Sequence, residues 1–473
     1  MREKIFHDTV HGDIFVPSNY CSQIIDTILF QRLRRIEQTS MRSLYPCARH
    51  DRFIHSIGVF HLGSKFIKSI EINTEIENQE FWETIRSCWQ GAKESYKIAC
   101  LLHDIGHSPF SHTFEDYFDL KEPKLTEQLT ALINDSDFTE DIKLAADPKP
   151  HEKTSAFIAY NEYNQVITKL GGNAIDVVRM ILGVLYLEPQ NTEQKVVNCL
   201  IPLLHGSIDV DRLDYACRDQ WASGFSSARV NLNRILSSGL LMEYNDTIIF
   251  CFNKNAISQL QSLIDIKNYQ KTWVLGHHKV LYDQHILKKS VEELASNLAI
   301  APEMKDDVLS QIFNINVFLK TDYHIKDSKL YLLSDDDLIY LMKQSLDKNS
   351  FAKEWLSRIH TKKPLWKTES QYIELFQNSN LIDDSKIEKK ILKIQKDKKI
   401  NFSYFILSAK RGLDSIIKNE VKIYVNNNII DYSVLKYNKP YHEKDFDKVY
   451  YVYIESEYMS YTDSIIKEIK KIT

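Results

Sequence analysis

Residues that could bind a metal ion or transfer protons are concentrated in the segment 101–112. His103 and Asp104 are adjacent there, and His107 and His112 follow four and nine residues after His103. A neutral imidazole beside a carboxylate makes a compact pair of ligands for a divalent metal. A single His-Asp pair is more often a solvated helix end, so the prediction of a site depends on what the rest of the chain adds.

Two other segments add residues of the same kinds. Arg52 and His55 stand three residues apart and would share one face of a helix. Asp211, Asp214 and Tyr215 follow the i, i+3, i+4 spacing, so a helix would also present these three side chains together. The sequence therefore predicts a site assembled from several helices.

Four of these residues are predicted to hold a metal ion: His55, His103, Asp104 and Asp211. Two imidazoles and two carboxylates are enough for a divalent ion and leave coordination positions for water and substrate. The same ligand set is compatible with Mn, Mg, Fe, Zn or Ni, so the sequence does not identify the metal.

The order of these segments resembles the HD phosphohydrolase superfamily and, more narrowly, its deoxynucleoside triphosphate (dNTP) triphosphohydrolases. The resemblance covers roughly residues 5 to 300. The segments that carry it are Asp8 to Gly12, Phe30 to Gln38, Arg52 to Gly58, His103 to His112, His151 with Glu152, and Asp209 to Asp219. It implies a metal-dependent enzyme that hydrolyses a dNTP at the α-phosphorus, releasing a deoxynucleoside and inorganic triphosphate. It also implies a homo-oligomer (dimer, tetramer or hexamer) with a role in nucleotide-pool control or antiviral defence.

The resemblance also implies roles for individual residues. The catalytic candidates are His107, His112, His151 and Asp104, with His112 favoured as the general acid. Arg52, Arg212 and Tyr215 would hold the phosphates, and Gln38 and Asp219 would contact the sugar. For Asp219, a structural ion pair with the adjacent Arg218 is the alternative. Gly276 stands where the family has an aromatic residue against the deoxyribose, which leaves the selection of deoxyribose over ribose open.

A nucleotide effector site is a further expectation from the resemblance. Asp26, Gln31 and Arg34 match positions where activated relatives bind a nucleotide. In the segment 240–254, where those relatives place basic residues, only Lys254 is basic. A different effector, or none, is therefore open, and a surface ion pair between Asp26 and Arg34 is the structural alternative.

The fold is predicted to be mainly α, an HD-domain helical core with a smaller α+β C-terminal region. Only 13 glycines and 11 prolines interrupt the chain, and apolar residues recur at helical spacing over most of it. We expect an HD core over 1–300 and a C-terminal region over 301–473, which could serve oligomerisation or regulation. Helices are predicted over 24–36, before His103, over 177–184 and around Asp211, and strands over 247–252, 421–425 and 449–454.

Composition indicates a cytoplasmic protein and does not select the reaction. The N-terminus lacks the apolar core of a signal peptide, and no apolar run approaches the roughly 20 residues that span a bilayer. Seven cysteines without a Cys-x-x-Cys pair favour reduced thiols. A net charge of -4 gives no global sign of nucleic-acid binding. The seven lysines of 386–399 favour an amphipathic surface helix, with a nucleic-acid or nucleotide patch as the alternative.

Two other functions stay open at this point. Another enzyme of the superfamily could cleave a different phosphoester, such as a nucleoside monophosphate, a signalling nucleotide or single-stranded nucleic acid. A non-catalytic relative could bind nucleotides without hydrolysing them. The retention of all four predicted metal ligands favours an enzyme, and a product assay would distinguish the reactions.

Overall fold

The computed structural model of the protein is mainly helical, which confirms the predicted fold class. It describes residues 2–120, 124–225, 229–313, 324–325, 328–329, 333–376, 382–410, 421–434 and 448–472. The α-helices in these ranges are α1 Ser18–Tyr20, α2 Ile28–Gln31, α3 Arg52–Glu77, α4 Gln79–Leu102, α5 Leu125–Ile133, α6 Ser136–Leu144, α7 Pro150–Lys169, α8 Ala174–Leu182, α9 Thr192–Leu200, α10 Val210–Ser223, α11 Leu232–Leu236, α12 Ile257–Tyr269, α13 His278–Leu298, α14 Lys305–Phe313, α15 Asp335–Gln344, α16 Ser350–Ser357, α17 Glu369–Leu375, α18 Asp384–Lys398 and α19 Thr462–Ile469.

The strands form small sheets. They are β1 Glu3–Asp8, β2 Gly12–Pro17, β3 Gly239–Tyr244, β4 Thr247–Asn253, β5 His324–Ile325, β6 Ser328–Lys329, β7 Lys362–Pro364, β8 Tyr404–Lys410, β9 Lys422–Val425, β10 Asn428–Asp431 and β11 Lys448–Glu455. The hairpin β1–β2 and the hairpin β5–β6 each stand as a two-stranded sheet, whereas β10-β9-β4-β3 and β7-β11-β8 form two larger ones. The predicted strands over 247–252, 421–425 and 449–454 are confirmed as β4, β9 and β11.

The long helix α3 is the centre of the site region and packs against α4 and α10. It begins after Asp51, whose carboxylate accepts a hydrogen bond from the Ile54 amide at 3.0 Å and so caps the first turn. A Cβ added at Gly63 would lie 2.7 Å from Sγ of Cys100 on α4. The missing side chain therefore lets α3 and α4 approach closely and fixes the distance between the residues at their ends.

Most buried apolar side chains of the described residues belong to two large hydrophobic cores, and a small third cluster includes Met41 and Phe225. The first includes the faces of α3, α4, α7, α8 and α10 and takes in Ile423 and Tyr432 from the C-terminal sheet. The second is built from α13 and the later elements, and it also holds Phe110 and Phe114 from the loop that follows His103. The loop after the His-Asp pair is thus anchored in the second core. The division at residue 300 stays a prediction.

The predicted single helix over 24–36 is wrong. A π turn over Cys21–Ile25 ends at Asp26, Thr27 caps the short α2, and a 3-10 turn follows over Arg32–Arg35. The cause is tertiary. The Arg32 guanidinium donates to three backbone carbonyls that lie far away in sequence, those of Ile105 at 3.1 Å, Leu333 at 3.0 Å and His107. These contacts hold the segment in tight turns.

The other predicted helices are present. Helix α8 covers the predicted 177–184 segment except its end, and α18 covers most of the lysine-rich segment 386–399. In α18, Ile387, Ile391 and Ile394 are buried while Lys393 pairs with Glu468 at 2.7 Å, as expected of an amphipathic surface helix. None of the described helices combines the length and the apolar character needed to cross a membrane.

Candidate metal centre and active site

The structure brings the four predicted metal ligands together from three helices. His55 comes from α3, His103 and Asp104 directly follow α4, and Asp211 lies in the first turn of α10. Nε2 of His55 lies 2.9 Å from Oδ1 of Asp211 and 3.5 Å from Oδ2 of Asp104. Nε2 of His103 lies 3.5 Å from Oδ1 of Asp104 and 3.8 Å from Oδ1 of Asp211. His55, His103 and Asp211 therefore face one shared space, and Asp104 lies at its edge with one oxygen toward each histidine.

The imidazoles are oriented as metal ligands are. Nδ1 of His55 is 2.7 Å from a carboxylate oxygen of Asp214, and Nδ1 of His103 is 2.9 Å from the backbone carbonyl of Cys100. If each Nδ1 carries the proton, each Nε2 presents a lone pair to the shared space. Both Nε2 atoms are buried, and neither has a hydrogen-bond partner among the residues that the structure describes. In metal-binding histidines, the ring nitrogen that does not bind the metal typically donates to a carboxylate or a backbone carbonyl, as both Nδ1 atoms can here.

The charge of the site also suits a cation. Burial alone would lower the pKa of His55, but the carboxylates of Asp211 and Asp214 raise it to about 10. The same pocket holds the pKa of Asp211 well below its ordinary value, because the histidines outweigh the effect of burial. The carboxylates that favour a positive charge on His55 would equally favour a cation in place of its Nε2 proton, and a divalent metal ion fits the donor set.

A second cluster, which we call the histidine cluster, consists of His107, His112, Glu115 and His151. One ring nitrogen of each histidine and one carboxylate oxygen of Glu115 all lie within 4.8 Å of one another. One oxygen of Glu115 is 2.8 Å from Nδ1 of His112 and 2.5 Å from Nδ1 of His151. The His107 and His151 rings are stacked with centroids 4.0 Å apart. The structure thus places all three predicted catalytic histidines side by side, together with a glutamate.

The loop that carries the histidine cluster is held in an unusual backbone conformation. Phe110 and Ser111 both have left-handed φ values, 56° and 54°, which are rare for residues other than glycine. The Phe110 amide donates to Oδ1 of Asp335 at 2.6 Å, and Oδ2 of Asp335 accepts from the Glu37 amide at 2.9 Å. Oγ of Ser111 accepts from Nε of Arg52 at 3.0 Å. Contacts with α15 and α3 therefore fix this loop.

Arg52 links the two clusters. Its guanidinium donates to Oδ2 of Asp104 at 2.6 Å and to the backbone carbonyl of Gln38 at 3.2 Å, and its side chain is buried. Asp104 in turn lies 3.3 Å from Nε2 of His107. The side-chain oxygen of Gln38 is buried and has no hydrogen-bond partner in the described part of the chain. Arg52 therefore connects the segment of Gln38 with Asp104, which lies beside both clusters.

The predicted substrate-binding residues of α10 have partners of their own. Arg212 pairs with the Asp209 carboxylate, which also caps the helix through the Arg212 amide at 2.7 Å. Burial raises the pKa of the half-buried Tyr215, so its hydroxyl stays a hydrogen-bond donor. Asp219 lies 2.7 Å from Nε2 of His50. Their roles in substrate binding stay predictions.

The alternative ion pair between Asp219 and Arg218 is wrong. Arg218 instead binds Asp214 with two donors, at 2.8 and 2.9 Å, and Asp8 with a third at 2.7 Å. The reason is the helical spacing: Asp214 lies four residues before Arg218, on the same face and in a buried position. Asp219 lies on another face, where it meets His50.

The alternative ion pair between Asp26 and Arg34 is also wrong. Asp26 binds Lys4 of the N-terminal hairpin at 3.0 Å. Within the described part of the chain, Arg34 forms no ion pair with Asp26. Its Nε donates to Oε1 of Gln31 at 2.9 Å, and its guanidinium lies over the Phe53 ring, 3.5 Å from the centroid. The three residues proposed for an effector lie in this N-terminal region, and that role stays a prediction.

Sequence reasoning missed Glu115 and the part played by Asp214. A signal existed for each: Glu115 stands three residues after His112, and Asp214 stands three residues after Asp211. Local spacing could not show that Glu115 also meets His151 or that Asp214 meets His55. Both contacts join segments that are far apart in the sequence.

Comparison with known domain families finds an HD domain in this part of the chain. The model of the HD domain matches residues 52–198, the stretch that runs from α3 into α9 and contains His55, His103 and Asp104. The chain therefore contains an HD domain. Three of the four candidate metal ligands lie in the matched stretch, and Asp211 lies beyond it.

Individual relatives are distant and mostly longer. A deoxynucleoside triphosphate triphosphohydrolase SAMHD1 homolog of Dictyostelium discoideum is 27% identical over 344 residues, which cover 71% of this chain and 54% of that protein. The SAMHD1 triphosphohydrolase of Danio rerio is 40% identical over 119 residues, 24% of this chain and 17% of that protein. The chain spans about half the length of the first curated relatives it matches.

A solved structure is similar over nearly the whole chain. A phosphohydrolase from Bacteroides thetaiotaomicron aligns with a TM-score of 0.63 at 20% identity, covering 96% of this chain and 99% of the other. At this identity the likeness shows a shared fold, including the region after residue 300.

Proposed function

We propose that this HD-domain protein is a metal-dependent phosphohydrolase that hydrolyses dNTPs at the α-phosphorus, releasing a deoxynucleoside and inorganic triphosphate. The observation that carries the proposal is the position of the histidine cluster next to the metal ligands. His107 lies 3.3 Å from Asp104, and Arg52 reaches Asp104 from the other side. Phosphoester hydrolysis needs charge neutralisation, a nucleophile and a proton donor, and the two clusters supply residues for each.

The metal ligands would be His55, His103, Asp104 and Asp211. When bound, a divalent metal supplies positive charge against the phosphate oxygens and makes water a nucleophile near neutral pH. Asp104 occupies a position from which it could also orient that water, because its two oxygens face different neighbours, Arg52 and His107. Arg52 and His107, which contact Asp104, would therefore influence both the charge of the site and the direction from which water attacks the phosphorus.

Binding of the phosphate chain is assigned to donors near the candidate metal ligands. Arg52 presents a planar guanidinium suited to phosphate oxygens, and it would exchange part of its contact with Asp104 for the substrate. Arg212 has further N–H groups besides the one that binds Asp209, and Tyr215 lies one turn along the same helix. Several donors near the candidate metal ligands fit a chain of phosphates better than a single phosphate.

His112 is proposed as the general acid that protonates the departing 5′-oxygen. Its side chain is 56% exposed, so it can reach a substrate, and Glu115 accepts its Nδ1 proton. Burial opposes ionisation of Glu115, yet the hydrogen bonds from His112 and His151 hold its pKa well below the ordinary value. An ionised Glu115 stabilises a protonated His112 whose Nε2–H is free to donate.

The choice of dNTPs as substrate is supported by the names of the relatives. The matched proteins of Dictyostelium discoideum and Danio rerio are both deoxynucleoside triphosphate triphosphohydrolases. The residues of this chain that match the family's sugar and phosphate contacts, Gln38 and Arg52, lie beside each other. The base and the native metal are left to experiment.

A product assay tests the proposal. The full chain is incubated with each dNTP and Mn²⁺ or Mg²⁺ in ¹⁸O-labelled water, and triphosphate, pyrophosphate and orthophosphate are separated. We expect intact triphosphate that carries the label and a deoxynucleoside that keeps its own, unlabelled 5′-oxygen. Attack at the α-phosphorus followed by P–O cleavage on the nucleoside side places the label on the terminal phosphate of the released triphosphate.

That label position distinguishes the outcomes: ¹⁸O in the triphosphate supports attack at the α-phosphorus, and ¹⁸O in orthophosphate with a diphosphate product contradicts it. Asp211→Ala serves as the control, because loss of a charged ligand should remove bound metal and most turnover. Metal content and activity near those of the wild type in this variant would contradict the metal site itself.

A further inference from the structure

The N-terminal turn lies against the metal centre through a buried network. Asp214 of α10 has a fully buried side chain. It contacts His55 of α3, Arg218 of its own helix and His11 of the N-terminal turn. One of its oxygens meets Nδ1 of His55 at 2.7 Å and Nε of Arg218 at 2.8 Å. The other meets Nη2 of Arg218 at 2.9 Å and Nε2 of His11 at 2.6 Å. Two contacts on each oxygen fix the carboxylate in one orientation.

The turn is itself held by the same network. Oδ1 of Asp8 accepts the backbone N–H groups of Val10 at 2.8 Å and His11 at 2.6 Å. Oδ2 of Asp8 accepts from Nη1 of Arg218 at 2.7 Å. The side chains of Asp8 and His11 are buried, 0% and 4% exposed. The turn between β1 and β2 therefore has a fixed position relative to α10 and His55.

Gly58 provides the space for this network. It lies on α3 three residues after His55, so it is on the same side of the helix. A Cβ built at Gly58 would lie 2.0 Å from Oδ1 of Asp214 and 2.6 Å from Nη2 of Arg218. These distances are too short for any side chain, so the carboxylate can reach His55 only because this position is a glycine.

We propose that His11 is a positioning residue of the metal centre: with Arg218, it holds Asp214 in the orientation that fixes the His55 imidazole for metal binding. The inference rests on the metal site of the proposed function but not on its substrate. It gives the Asp8 to Gly12 turn a part in metal binding. Loss of a residue that orients a metal ligand typically weakens metal affinity by about 10- to 100-fold.

The test measures Mn²⁺ affinity, by electron paramagnetic resonance titration of the full chain after metal removal. His11→Ala should weaken Mn²⁺ binding by about 10-fold, the lower end of that range, since His11 acts on His55 through Asp214, which loses one of its four contacts. His11→Gln, whose amide can donate to the same oxygen, should recover most of the affinity. His7→Ala is the matched control, because His7 binds Asp13 at 2.7 Å in the same hairpin but is 84% exposed.

Gly58→Ala tests the same network by a second route. Alanine favours a helix over glycine by about 1 kcal/mol, so the variant should not disfavour helix formation itself. Its methyl group would displace Asp214, and we expect weaker Mn²⁺ binding. Gly91→Ala, on α4, is the control, because its nearest neighbour would be a glutamate side-chain oxygen at 3.3 Å.

The outcomes separate this inference from the proposed function. Wild-type protein that binds no Mn²⁺, or Asp211→Ala that binds it normally, contradicts the metal site. Wild-type binding together with unchanged affinity in His11→Ala or Gly58→Ala contradicts the role of the turn alone. Circular dichroism of the metal-free variants shows whether each is folded, and an unfolded His11→Ala leaves the decision to His11→Gln and Gly58→Ala.

Discussion

Replacement of Glu115 by glutamine should reduce turnover and shift its pH dependence. Glu115 accepts hydrogen bonds from His112 and His151 on the same oxygen, at 2.8 and 2.5 Å. Glutamine keeps the size and an acceptor oxygen but removes the negative charge. A protonated His112 is then less stable, so fewer molecules carry the proton that the leaving group needs.

The magnitude follows from the kind of hydrogen bond that is lost. A hydrogen bond to a charged group contributes about 1.5–3 kcal/mol and a neutral one about 1 kcal/mol. Because the His112 side chain is 56% exposed, solvent reduces the difference, and we take about 1.4 kcal/mol for its bond to Glu115. That corresponds to a pKa lower by about one unit and to a kcat lower by roughly tenfold at neutral pH.

The direction of the pH shift can be worked out in advance. Packing of the surrounding side chains lowers the pKa of His112, and the hydrogen bond to Glu115 acts in the opposite direction. Since a general acid must be protonated, activity falls as the pH rises through the pKa of His112. Loss of the charge on Glu115 therefore moves the basic limb of the kcat profile to lower pH.

The assay is a kcat and KM determination from about pH 5.5 to 9, with released deoxynucleoside as the readout. Glu83→Gln is the matched control, because Glu83 pairs with Arg86 at 3.1 Å with the same i, i+3 spacing but is exposed on α4. A kcat within twofold of the wild type and an unmoved basic limb in Glu115→Gln would refute the reasoning. A change confined to KM would assign Glu115 to phosphate binding instead.

Two further predictions concern regions outside the catalytic cluster. Burial raises the pKa of Asp335 to about 7, although its hydrogen bonds from two backbone amides act in the opposite direction. Protonated Asp335 should therefore contribute to the free energy of unfolding below about pH 4, and this contribution should be lost as the pH rises through 7. In Asp335→Asn, the free energy of unfolding measured in urea should depend less on pH over this range. Asp26→Ala combined with Arg34→Ala should abolish any extra rate that mixed dNTPs give over single ones. Identical rates with single and mixed dNTPs in the wild type, unchanged in the double variant, would exclude an effector there.

The candidate metal ligands could be selected from the sequence because most of them lie in segments whose spacing is informative by itself; their role as ligands stays a prediction. His103 and Asp104 are adjacent, and Asp211 begins a helix that Asp209 caps. Each of these signals is contained within one or two helical turns, where the sequence determines which side chains share a face. What the local spacing leaves open is which of these segments pack against one another in the fold.

The partners of these ligands were not predictable in the same way. His55 meets Asp214 across 159 positions of sequence, and His151 meets Glu115 across 36. Such contacts depend on how whole helices pack. The failed helix over 24–36 has the same origin: its apolar spacing favoured a helix, but Arg32 binds carbonyls in distant loops, and these contacts outweigh the local preference.

The charges of the site give a reason for metal and substrate to bind together. Asp104 and Asp211 place two negative charges where phosphates would lie, and Arg52 offsets one of them. Arg212 adds little net charge because Asp209 already pairs with it. Because the pKa of His55 is raised to about 10, its protonated ring offsets the other negative charge in the absence of metal. A divalent ion that replaced this proton would leave one net positive charge, so the site would then attract a polyphosphate. By linkage, the substrate would raise the affinity for the metal by the same factor. The residues that orient His55 would consequently influence substrate binding without touching the substrate.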